Sequence, residues 1–335
     1  MIKVSVIVPC YNEETRIRQL LDAIYGQSYP VNDIEVVIAD GLSSDRTRAV
    51  ISEFQSSHPN LTIRVIDNLH RAIPSGLNRA ITASHGKYFI RMDAHSIPDR
   101  DYITNCIHGL DEGLGDNVGG IWKIQPGSST WIAKAIAVAG SHPLGVGDAL
   151  YRIGGLAQEV DTVPFGAFRK ELIDKIGMFD ETLLTNEDYE FNVRVRQSGG
   201  KVWMDPSIHS IYFARSTIKE LLQQYWRYGY WKAQMLRRYP KTLRWRQVVP
   251  PLFVLALISL GLASFGWFLA RWLVAIIVIL YTIVIFVAGI QMSLKHKDIS
   301  LVIGLPVAIA TIHLSWGTAF LWGLIAKPRV NEPER

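Results

Sequence analysis

The sequence predicts an α/β domain with a mostly parallel sheet, followed by transmembrane α-helices. Two observations carry this prediction. In the N-terminal third, short β-branched or aromatic runs alternate with helical patterns, which is the order of a parallel sheet with helices on both faces. Three long apolar stretches then follow residue 247, and a chain of 335 residues with 49% hydrophobic content exceeds one average domain.

The predicted strands and helices alternate in chain order. The strands are Lys3–Val8, Ile34–Ala39, Leu61–Ile66 and Tyr88–Met92. The helices are Ile17–Tyr25, Asp45–Phe54 and Pro74–Ala83. Ligands of such sheets bind beyond the carboxyl ends of the strands, so the residues that follow each strand are the first candidates for a site.

Polar residues follow three of these strands. Tyr11 and Glu13 follow the first strand, and Asp40 follows the second. Each residue alone is as well explained by a helix cap or a salt bridge, but together at adjacent strand ends they indicate a nucleotide pocket. The first strand is not followed by G-x-G-x-x-G, and the chain has no G-x-x-x-x-G-K-[ST], so we expect side chains to hold the nucleotide.

Asp93 and His95 follow the fourth strand and are two residues apart. Side chains at this spacing on an extended segment point the same way. A carboxylate and an imidazole so placed are expected to hold a divalent cation, Mg²⁺ or Mn²⁺, against a diphosphate. The alternative is that Asp93 caps a turn and His95 is a solvated loop residue.

A carboxylate-rich segment, Glu187 and Asp188, begins a predicted helix that ends near Gly199. A carboxylate at a helix N-terminus that faces the donor can accept the proton of an attacking hydroxyl, which makes Asp188 the candidate base. The alternative is that Thr185 and Asp188 form only a capping box.

A second capping box, Thr217-x-x-Glu220, begins a helix with Gln224 and Arg227 on one face. Its aromatic and basic residues suit the headgroup layer of a membrane. Arg227 is expected to contact a diphosphate or the acceptor, or simply to extend its charge to the interface.

The C-terminal part predicts about three membrane spans, Val248–Ala270, Trp272–Leu294 and Ile299–Ala326. A re-entrant hairpin in place of two spans is the alternative. Basic residues precede the first span, and this basic collar favours a cytoplasmic, anionic membrane face over nucleic acid: Arg237, Arg238, Lys241, Arg244 and Arg246.

The order of these motifs resembles family 2 glycosyltransferases of the GT-A fold, whose domain binds nucleotide-diphospho-sugars. The opening Val4 to Glu14, the segment Val37 to Thr47 and the segment Tyr88 to His95 are similar to the nucleotide loop, the uracil-contacting strand and the D-x-D segment of that family. Further along, Phe179-Asp180-Glu181 with Glu187-Asp188, and Gln224 to Tyr228, are similar to its F-D-E, E-D and Q-x-x-R-W elements.

The resemblance covers about the first 240 residues and is closest to the ExoA-type enzymes of succinoglycan assembly. It implies that Asp188 and Glu187 are the catalytic carboxylates, with Asp188 as the base, and that Asp93 and His95 hold the metal. The residues that it implies for nucleotide and donor binding are Pro9, Tyr11, Glu13, Asp40, Arg71, Asn78, Asp93, Gln224 and Arg227. His95 departs from the family's second aspartate, and Tyr228 departs from its tryptophan.

The resemblance implies inverting, metal-dependent transfer of a hexosyl group in exopolysaccharide assembly. The donor would be a nucleotide sugar, with a UDP-sugar as the first candidate, and the acceptor would be linked to polyprenyl diphosphate. Two alternatives are a polyprenyl-phosphate monosaccharide synthase and a non-catalytic scaffold. The expected partners are the nucleotide sugar, the lipid-linked acceptor, the lipid bilayer and other polysaccharide-assembly enzymes, without nucleic acid.

The predicted organisation is a glycosyltransferase domain at 1–215, an interfacial helix and collar at 216–246, membrane helices at 247–326 and a tail at 327–335. The expected location is the inner membrane, with the catalytic domain in the cytoplasm.

Overall fold

The computed structural model describes residues 2–326, which form two compact units. The first unit contains residues 2–123 and 154–212, and the second contains residues 124–153 and 213–326. The predicted domain at 1–215 differs from this division, because residues 124–153 pack with the C-terminal helices. The predicted tail at 327–335 lies outside the described residues.

Within residues 2–326 the first unit is built on a nine-stranded sheet. Its strands are β1 (Val4–Cys10), β2 (Ile34–Asp40), β3 (Thr62–Asp67), β4 (Tyr88–Arg91), β5 (Ile97–Pro98), β6 (Asn117–Gln125), β7 (Gln158–Glu159), β8 (Ala167–Arg169) and β9 (Val202–Phe213). The spatial order is β3-β2-β1-β4-β8-β6-β9-β5, and β7 pairs with β9.

The strands β3, β2, β1 and β4 are parallel neighbours, as the sequence predicts. In this register Val6 lies between Val36 of β2 and Ile90 of β4. Every residue of β2 is buried, because helices cover both faces of the parallel half. The carboxyl ends of β1, β2 and β4 therefore meet at one edge, and β8 joins β4 in the antiparallel direction.

The chain forms thirteen α-helices within the described residues. They are α1 (Ile17–Tyr25), α2 (Thr47–Ser57), α3 (Ile73–Ala83), α4 (Tyr102–Asp111), α5 (Trp131–Gly140), α6 (Pro143–Val146), α7 (Leu150–Ile153), α8 (Lys170–Ile176), α9 (Glu187–Gln197), α10 (Ile218–Arg238), α11 (Trp245–Ala263), α12 (Phe268–His296) and α13 (Leu301–Ile325). The helix α1 shows why they form, since Ile17, Leu20, Leu21 and Ile24 recur at helical spacing and are all buried.

The second unit is helical, and three of its helices, α11, α12 and α13, are long and apolar enough to cross a membrane. The first break differs from the predicted one. The helix α11 already ends at Ala263 and α12 begins at Phe268, so the predicted span Val248–Ala270 ends too late and Arg271 lies inside α12. Hydropathy missed this turn because the residues on both sides of it are apolar.

Candidate functional site

The carboxyl ends of β1 and β2 carry two loops that hydrogen bond to each other. The backbone N–H of Asn12 donates to Ser43 Oγ at 2.9 Å, and the Ser44 N–H donates to Asn12 Oδ1 at 2.9 Å. The Glu13 N–H donates to Thr47 Oγ1 at 2.8 Å. Asn12 holds a left-handed φ of 52°, which turns the chain sharply after the strand. These bonds fix the two predicted nucleotide loops as one surface.

Asp40 lies at the end of β2 and is fully buried. Its carboxylate accepts hydrogen bonds from Ser43 Oγ at 2.5 Å and from Arg48 Nε at 2.5 Å. Arg48 also pairs with Asp67 at the end of β3, at 2.5 Å. Asp40 is thus already engaged by the protein, and its buried charge has the paired and hydrogen-bonded surroundings that such a charge requires.

Two predicted nucleotide residues, Tyr11 and Arg71, lie against each other. The Arg71 guanidinium carbon is 5.5 Å from the centre of the Tyr11 ring, within cation–π distance. Tyr11 is 41% exposed, and Arg71 holds a left-handed φ of 54°. An exposed ring backed by an arginine offers a flat, electron-rich face to a ligand.

Asn78 binds the protein itself rather than facing an open space. Its amide donates to the Phe179 carbonyl and to Glu181 Oε1, both at 2.9 Å, and its Oδ1 accepts from the Phe179 N–H at 2.9 Å. Asn78 thereby holds the F-D-E segment against α3. On the same helix Gly76 lies so close to Pro9 that an added Cβ would be 3.2 Å from the Pro9 Cβ. Pro9 and Asn78 therefore support the site through contacts within the protein.

A buried arginine, Arg91, joins the end of β4 to the start of α9. Its Nη2 lies 3.1 Å from Asp93 Oδ1 and 2.8 Å from Glu187 Oε1, and its Nη1 pairs with Asp188 Oδ1. Its guanidinium carbon lies 5.9 Å from the ring centre of Phe165. One guanidinium therefore holds three carboxylates, and the cluster retains negative charge.

The three carboxylates differ in their access to solvent. The side chains are 8% exposed in Glu187, 22% in Asp93 and 27% in Asp188. Burial raises the pKa of Glu187 above its usual range, and the Arg91 charge only partly opposes this effect. Burial lowers the pKa of Arg91, but Asp93 and Glu187 outweigh it, so its pKa is raised. Asp188 is the member most open to a ligand.

The start of α9 is set by backbone conformation rather than by a side-chain cap. The N-cap is Asn186 and not Thr185, so the capping box expected at Thr185 does not form. Asn186 takes a left-handed φ of 69°, and its side chain makes no capping hydrogen bond. Asp188 is consequently not a capping residue in this structure. It occupies the first turn, where the helix dipole favours a negative charge.

The predicted cation ligands, Asp93 and His95, contact other site residues. His95 Nδ1 lies 2.9 Å from Glu13 Oε1, which connects the ends of β4 and β1. Within residues 2–326 no group of three His, Cys, Asp or Glu side chains is placed to hold a metal ion. A cation bound by Asp93 and His95 would therefore need further ligands from outside the protein.

Gln224 and Arg227 lie in the second unit, on α10. Gln224 is buried and donates to the Tyr228 hydroxyl at 3.1 Å, whereas Arg227 is exposed. The capping box at the start of this helix forms only in part. Thr217 Oγ1 accepts from the Glu220 N–H at 3.2 Å, but the Glu220 carboxylate accepts from the Ser216 N–H.

The structure thus links most of the predicted residues of the first unit through short contacts. Glu13 contacts His95, and Asp93, Glu187 and Asp188 share Arg91. The sequence analysis missed Arg48 and Arg91 as site residues. A signal for Arg91 was present, since it is the one charged residue in the predicted strand Tyr88–Met92.

Three comparisons relate this chain to known proteins. The model of the family described as glycosyl transferase family 2 matches residues 5–177. A Methanococcus voltae protein, dolichyl N-acetyl-alpha-D-glucosaminyl phosphate 3-beta-D-2,3-diacetamido-2,3-dideoxy-beta-D-glucuronosyltransferase, is 30% identical over 96% of this chain and 97% of its own. Succinoglycan biosynthesis protein ExoA of Rhizobium meliloti (strain 1021) is 26% identical over 94% of this chain and 93% of its own.

Solved structures show a similar fold. The mannosyltransferase PcManGT from Pyrobaculum calidifontis, in complex with GDP-Man and Mn²⁺, has a TM-score of 0.59 at 20% identity, over 92% of this chain and 86% of its own. S. aureus TarS 1-349 in complex with UDP-GlcNAc has a TM-score of 0.51 at 17% identity, over 92% and 91%. The predicted GT-A fold is confirmed.

Proposed function

The chain belongs to glycosyl transferase family 2, and on this premise we propose that it transfers a sugar from a nucleoside-diphosphate sugar, first of all a UDP-sugar, to a polyprenyl-linked acceptor sugar. The acceptor is proposed to carry a diphosphate, as the resemblance to ExoA implies. The name of the M. voltae relative instead specifies a sugar on dolichyl phosphate, so the number of phosphates is the part of this proposal that an assay must decide.

One observation carries the proposal. Arg91 holds Asp93, a donor-side residue, and Asp188, an acceptor-side residue, on the same guanidinium. A transferase needs its leaving group and its attacking hydroxyl on opposite sides of one anomeric carbon, within a few ångströms. Two carboxylates held by one guanidinium support such an arrangement.

The nucleotide is proposed to bind over the joined loops after β1 and β2. Tyr11 and Arg71 would contact the donor, and Glu13 would orient His95. Asp40 would shape the loop through Ser43 and Arg48, while Pro9 and Asn78 would support it from the packed side. Gln224 and Arg227 are proposed to contact the diphosphate or acceptor.

Asp93 and His95 are the residues proposed to hold a divalent cation, Mg²⁺ or Mn²⁺. Such a cation neutralises the charge of a departing nucleoside diphosphate. His95 suits Mn²⁺ and later metals better than Mg²⁺, because imidazole is a softer ligand than carboxylate. The Glu13 contact at Nδ1 would fix the orientation of the His95 imidazole.

In the proposed reaction Asp188 accepts the proton of the acceptor hydroxyl. The hydroxyl oxygen forms a bond to the anomeric carbon, and the bond from that carbon to the diphosphate oxygen breaks on the opposite side. The leaving nucleoside diphosphate keeps the electron pair, so the configuration inverts. Glu187, which is nearly closed to solvent, holds Arg91 rather than reacting.

A donor screen tests this function. The full chain in detergent is mixed with UDP-, GDP- and dTDP-sugars, with Mg²⁺, Mn²⁺ or EDTA, and thermal stabilisation and sugar release are measured. We expect one nucleotide class to stabilise the protein and to be hydrolysed slowly, in a cation-dependent way. Absence of binding by every nucleotide sugar would contradict the proposal and favour a scaffold.

An acceptor assay then separates the two lipid chemistries. The preferred donor is supplied with polyprenyl phosphate, with a sugar on polyprenyl phosphate, or with a sugar on polyprenyl diphosphate. We expect a disaccharide product only from an acceptor that already carries a sugar. Transfer to bare polyprenyl phosphate would instead identify a monosaccharide synthase, whose phosphate nucleophile needs no strong base.

The proposed location is the inner membrane, with the first unit in the cytoplasm. The basic residues of the collar support this orientation, because such residues remain preferentially on the cytoplasmic side.

A further inference from the structure

The three apolar C-terminal helices differ in how much of their surface the protein covers. Half of the most apolar window of α13 is buried inside the second unit, compared with 11% for α11 and 17% for α12. A helix that crosses a bilayer in a small bundle exposes most of its surface to lipid. By this measure α11 and α12 resemble lipid-facing spans, whereas α13 resembles a helix of a protein core.

The helix α10 covers α13 along much of its length. Leu221 and Tyr225 of α10 pack in one cluster with Leu305 and Ile309 of α13. Nearer the other end, an added Cβ on Gly323 would lie 2.8 Å from the Ala233 Cβ, so the two backbones approach closely.

Polar contacts continue this packing to the ends of the two helices. Gln234 Nε2 donates to the Gly323 carbonyl at 2.9 Å, and Arg237 donates to the Ala326 carbonyl at 2.7 Å. The two helices therefore run side by side in the same direction and occupy the same depth relative to a membrane.

The uncovered face of α10 is charged at both ends and at its middle. Lys219, Glu220, Arg227, Arg237 and Arg238 are all exposed. Placing a charged side chain at the centre of a bilayer is unfavourable, because hydrocarbon does not solvate the charge. If α13 crossed the hydrocarbon core, α10 would enter with it and bring these charges along.

The other two helices form a hairpin whose far end consists of apolar and interfacial residues. The turn between α11 and α12 contains Phe265, which is 85% exposed, and Trp267, which is 55% exposed. Trp272 and Arg271 lie in the first turns of α12. Tryptophan is typical of the membrane–water boundary, so this turn fits the headgroup layer opposite to the collar.

Basic residues lie at both open ends of this hairpin. The collar precedes α11, and Lys295, His296 and Lys297 follow the apolar part of α12. Lengths of 19 and 29 residues for α11 and α12 correspond to about 28 and 43 Å, compared with about 30 Å of hydrocarbon. Both limbs are therefore about long enough to cross, and both return to a positively charged face.

We propose that only the α11–α12 hairpin crosses the bilayer, and that α13 lies in the boundary layer on the face where the hairpin begins. In this arrangement α10 and α5 cover one side of α13, and α11 and α12 also pack against it. Its other side presents Ile303, Val307 and Trp322, all exposed and apolar, to the acyl chains. The proposal departs from the predicted third span, and it does not depend on which sugar the protein transfers.

Cysteine accessibility tests this topology in the full chain. Single cysteines are introduced by Lys241→Cys before α11, Phe265→Cys in the turn, Lys297→Cys after α12 and Ile325→Cys at the end of α13. A membrane-impermeant maleimide is applied to right-side-out and to inside-out vesicles. The native cysteines, Cys10 and Cys106, are buried, so the wild-type chain is the unlabelled control.

We expect positions 241, 297 and 325 to react from one face and position 265 from the other. Three full spans would instead place position 325 on the face opposite to position 297, so labelling of Ile325→Cys together with Phe265→Cys would overturn the proposal. A Phe265→Cys chain that reacts from neither face would overturn the crossing of the hairpin. The readout requires no turnover, so failure of the proposed transferase activity leaves this test unaffected.

Discussion

Two arginines each hold carboxylates at the edge of the parallel sheet, but Arg48 is 45% exposed and Arg91 only 4%. Arg48 joins the ends of two neighbouring strands, β2 and β3, through Asp40 and Asp67. Arg91 joins the end of β4 to α9, almost a hundred residues later in the chain. The first pair stabilises a loop, whereas the second cluster places two proposed catalytic partners beside each other.

The difference in burial determines what each arginine contributes. Solvent can replace part of the Arg48 interaction, because water reaches its guanidinium. Water cannot replace Arg91, since loss of a buried partner leaves uncompensated charges in a medium that solvates them poorly. Substitutions near Arg91 should therefore change the chemistry, and substitutions near Arg48 should mainly change stability.

The largest effect is expected for Asp188→Asn. The amide cannot accept the proton of the acceptor hydroxyl, so we expect kcat to fall by about 10²- to 10⁴-fold. Glu187→Gln is the matched comparison, because Glu187 is the next residue and shares Arg91 but is nearly closed to solvent. Initial-rate measurements in which Glu187→Gln loses more activity than Asp188→Asn would contradict the assignment of the base.

The next largest effect is expected for Arg91→Lys. A lysine keeps the positive charge but cannot hold three carboxylates in one plane, so we expect kcat to fall by about 10²-fold through misplacement of Asp188. The pKa of Glu187, which is already raised, should rise further. Because Glu187 and Asp188 share Arg91, their titrations are coupled, and the acid limb of the pH–rate profile should move to higher pH. A lower rate with an unmoved acid limb would indicate a structural defect alone.

A smaller effect is expected for Arg48→Ala on folding. Asp40 would remain buried with Ser43 as its partner and without its cation, so the free energy of unfolding should fall by about 1–3 kcal/mol. Arg46→Ala is the control, since its pair with Glu53 is exposed on both sides and should change stability by less than about 0.5 kcal/mol. If urea unfolding shows that Arg48→Ala and Arg46→Ala lose equal free energy of unfolding, the predicted difference between the two ion pairs is wrong.

The smallest effect concerns pH and Glu35, a buried carboxylate at the start of β2. Burial raises its pKa, but hydrogen bonds from Ser5 and the His85 N–H, with the charge of Arg64, outweigh burial and leave the pKa lowered. A lowered folded-state pKa contributes stability above the unfolded pKa of about 4.3, and this contribution is lost as pH falls through the folded value.

Glu35→Gln should therefore unfold more easily than wild type at pH 7, with the difference shrinking below about pH 4. Glu53→Gln, an exposed substitution on α2, is the control and should leave the pH profile unchanged. A constant difference between Glu35→Gln and wild type from pH 7 to pH 3 would show that the charge of Glu35 does not contribute.

The sequence predicts the parallel half of the sheet well for a physical reason. The runs from β1 to β4 are β-branched or aromatic and are followed by polar residues, so the sequence marks the strand ends and the candidate site residues at the same positions. The predicted positions of Glu13, Asp93 and His95 depend only on strand order, and β2, β1 and β4 are neighbours. Long-range partners were not visible, because nothing local connects Arg91 to a helix that begins at Glu187.

The membrane part was harder to predict, because hydropathy reports composition and not contacts. The turn at Phe265 and Trp267 is as apolar as the helices around it, so the first span was drawn too long. The helix α13 packs against α5 and α10 as well as its neighbours α11 and α12, and its composition does not reveal this. A single sequence does not distinguish burial in protein from burial in lipid.

The most direct test of the account is donor binding to Asp93→Asn and Asp188→Asn, measured by calorimetry with and without Mn²⁺. The account predicts that Asp188→Asn binds the nucleotide sugar as wild type does while transfer is lost, and that Asp93→Asn loses the cation-dependent part of the affinity. Equal loss of donor binding in both variants, or turnover retained by Asp188→Asn, would contradict the division of the site between these two carboxylates.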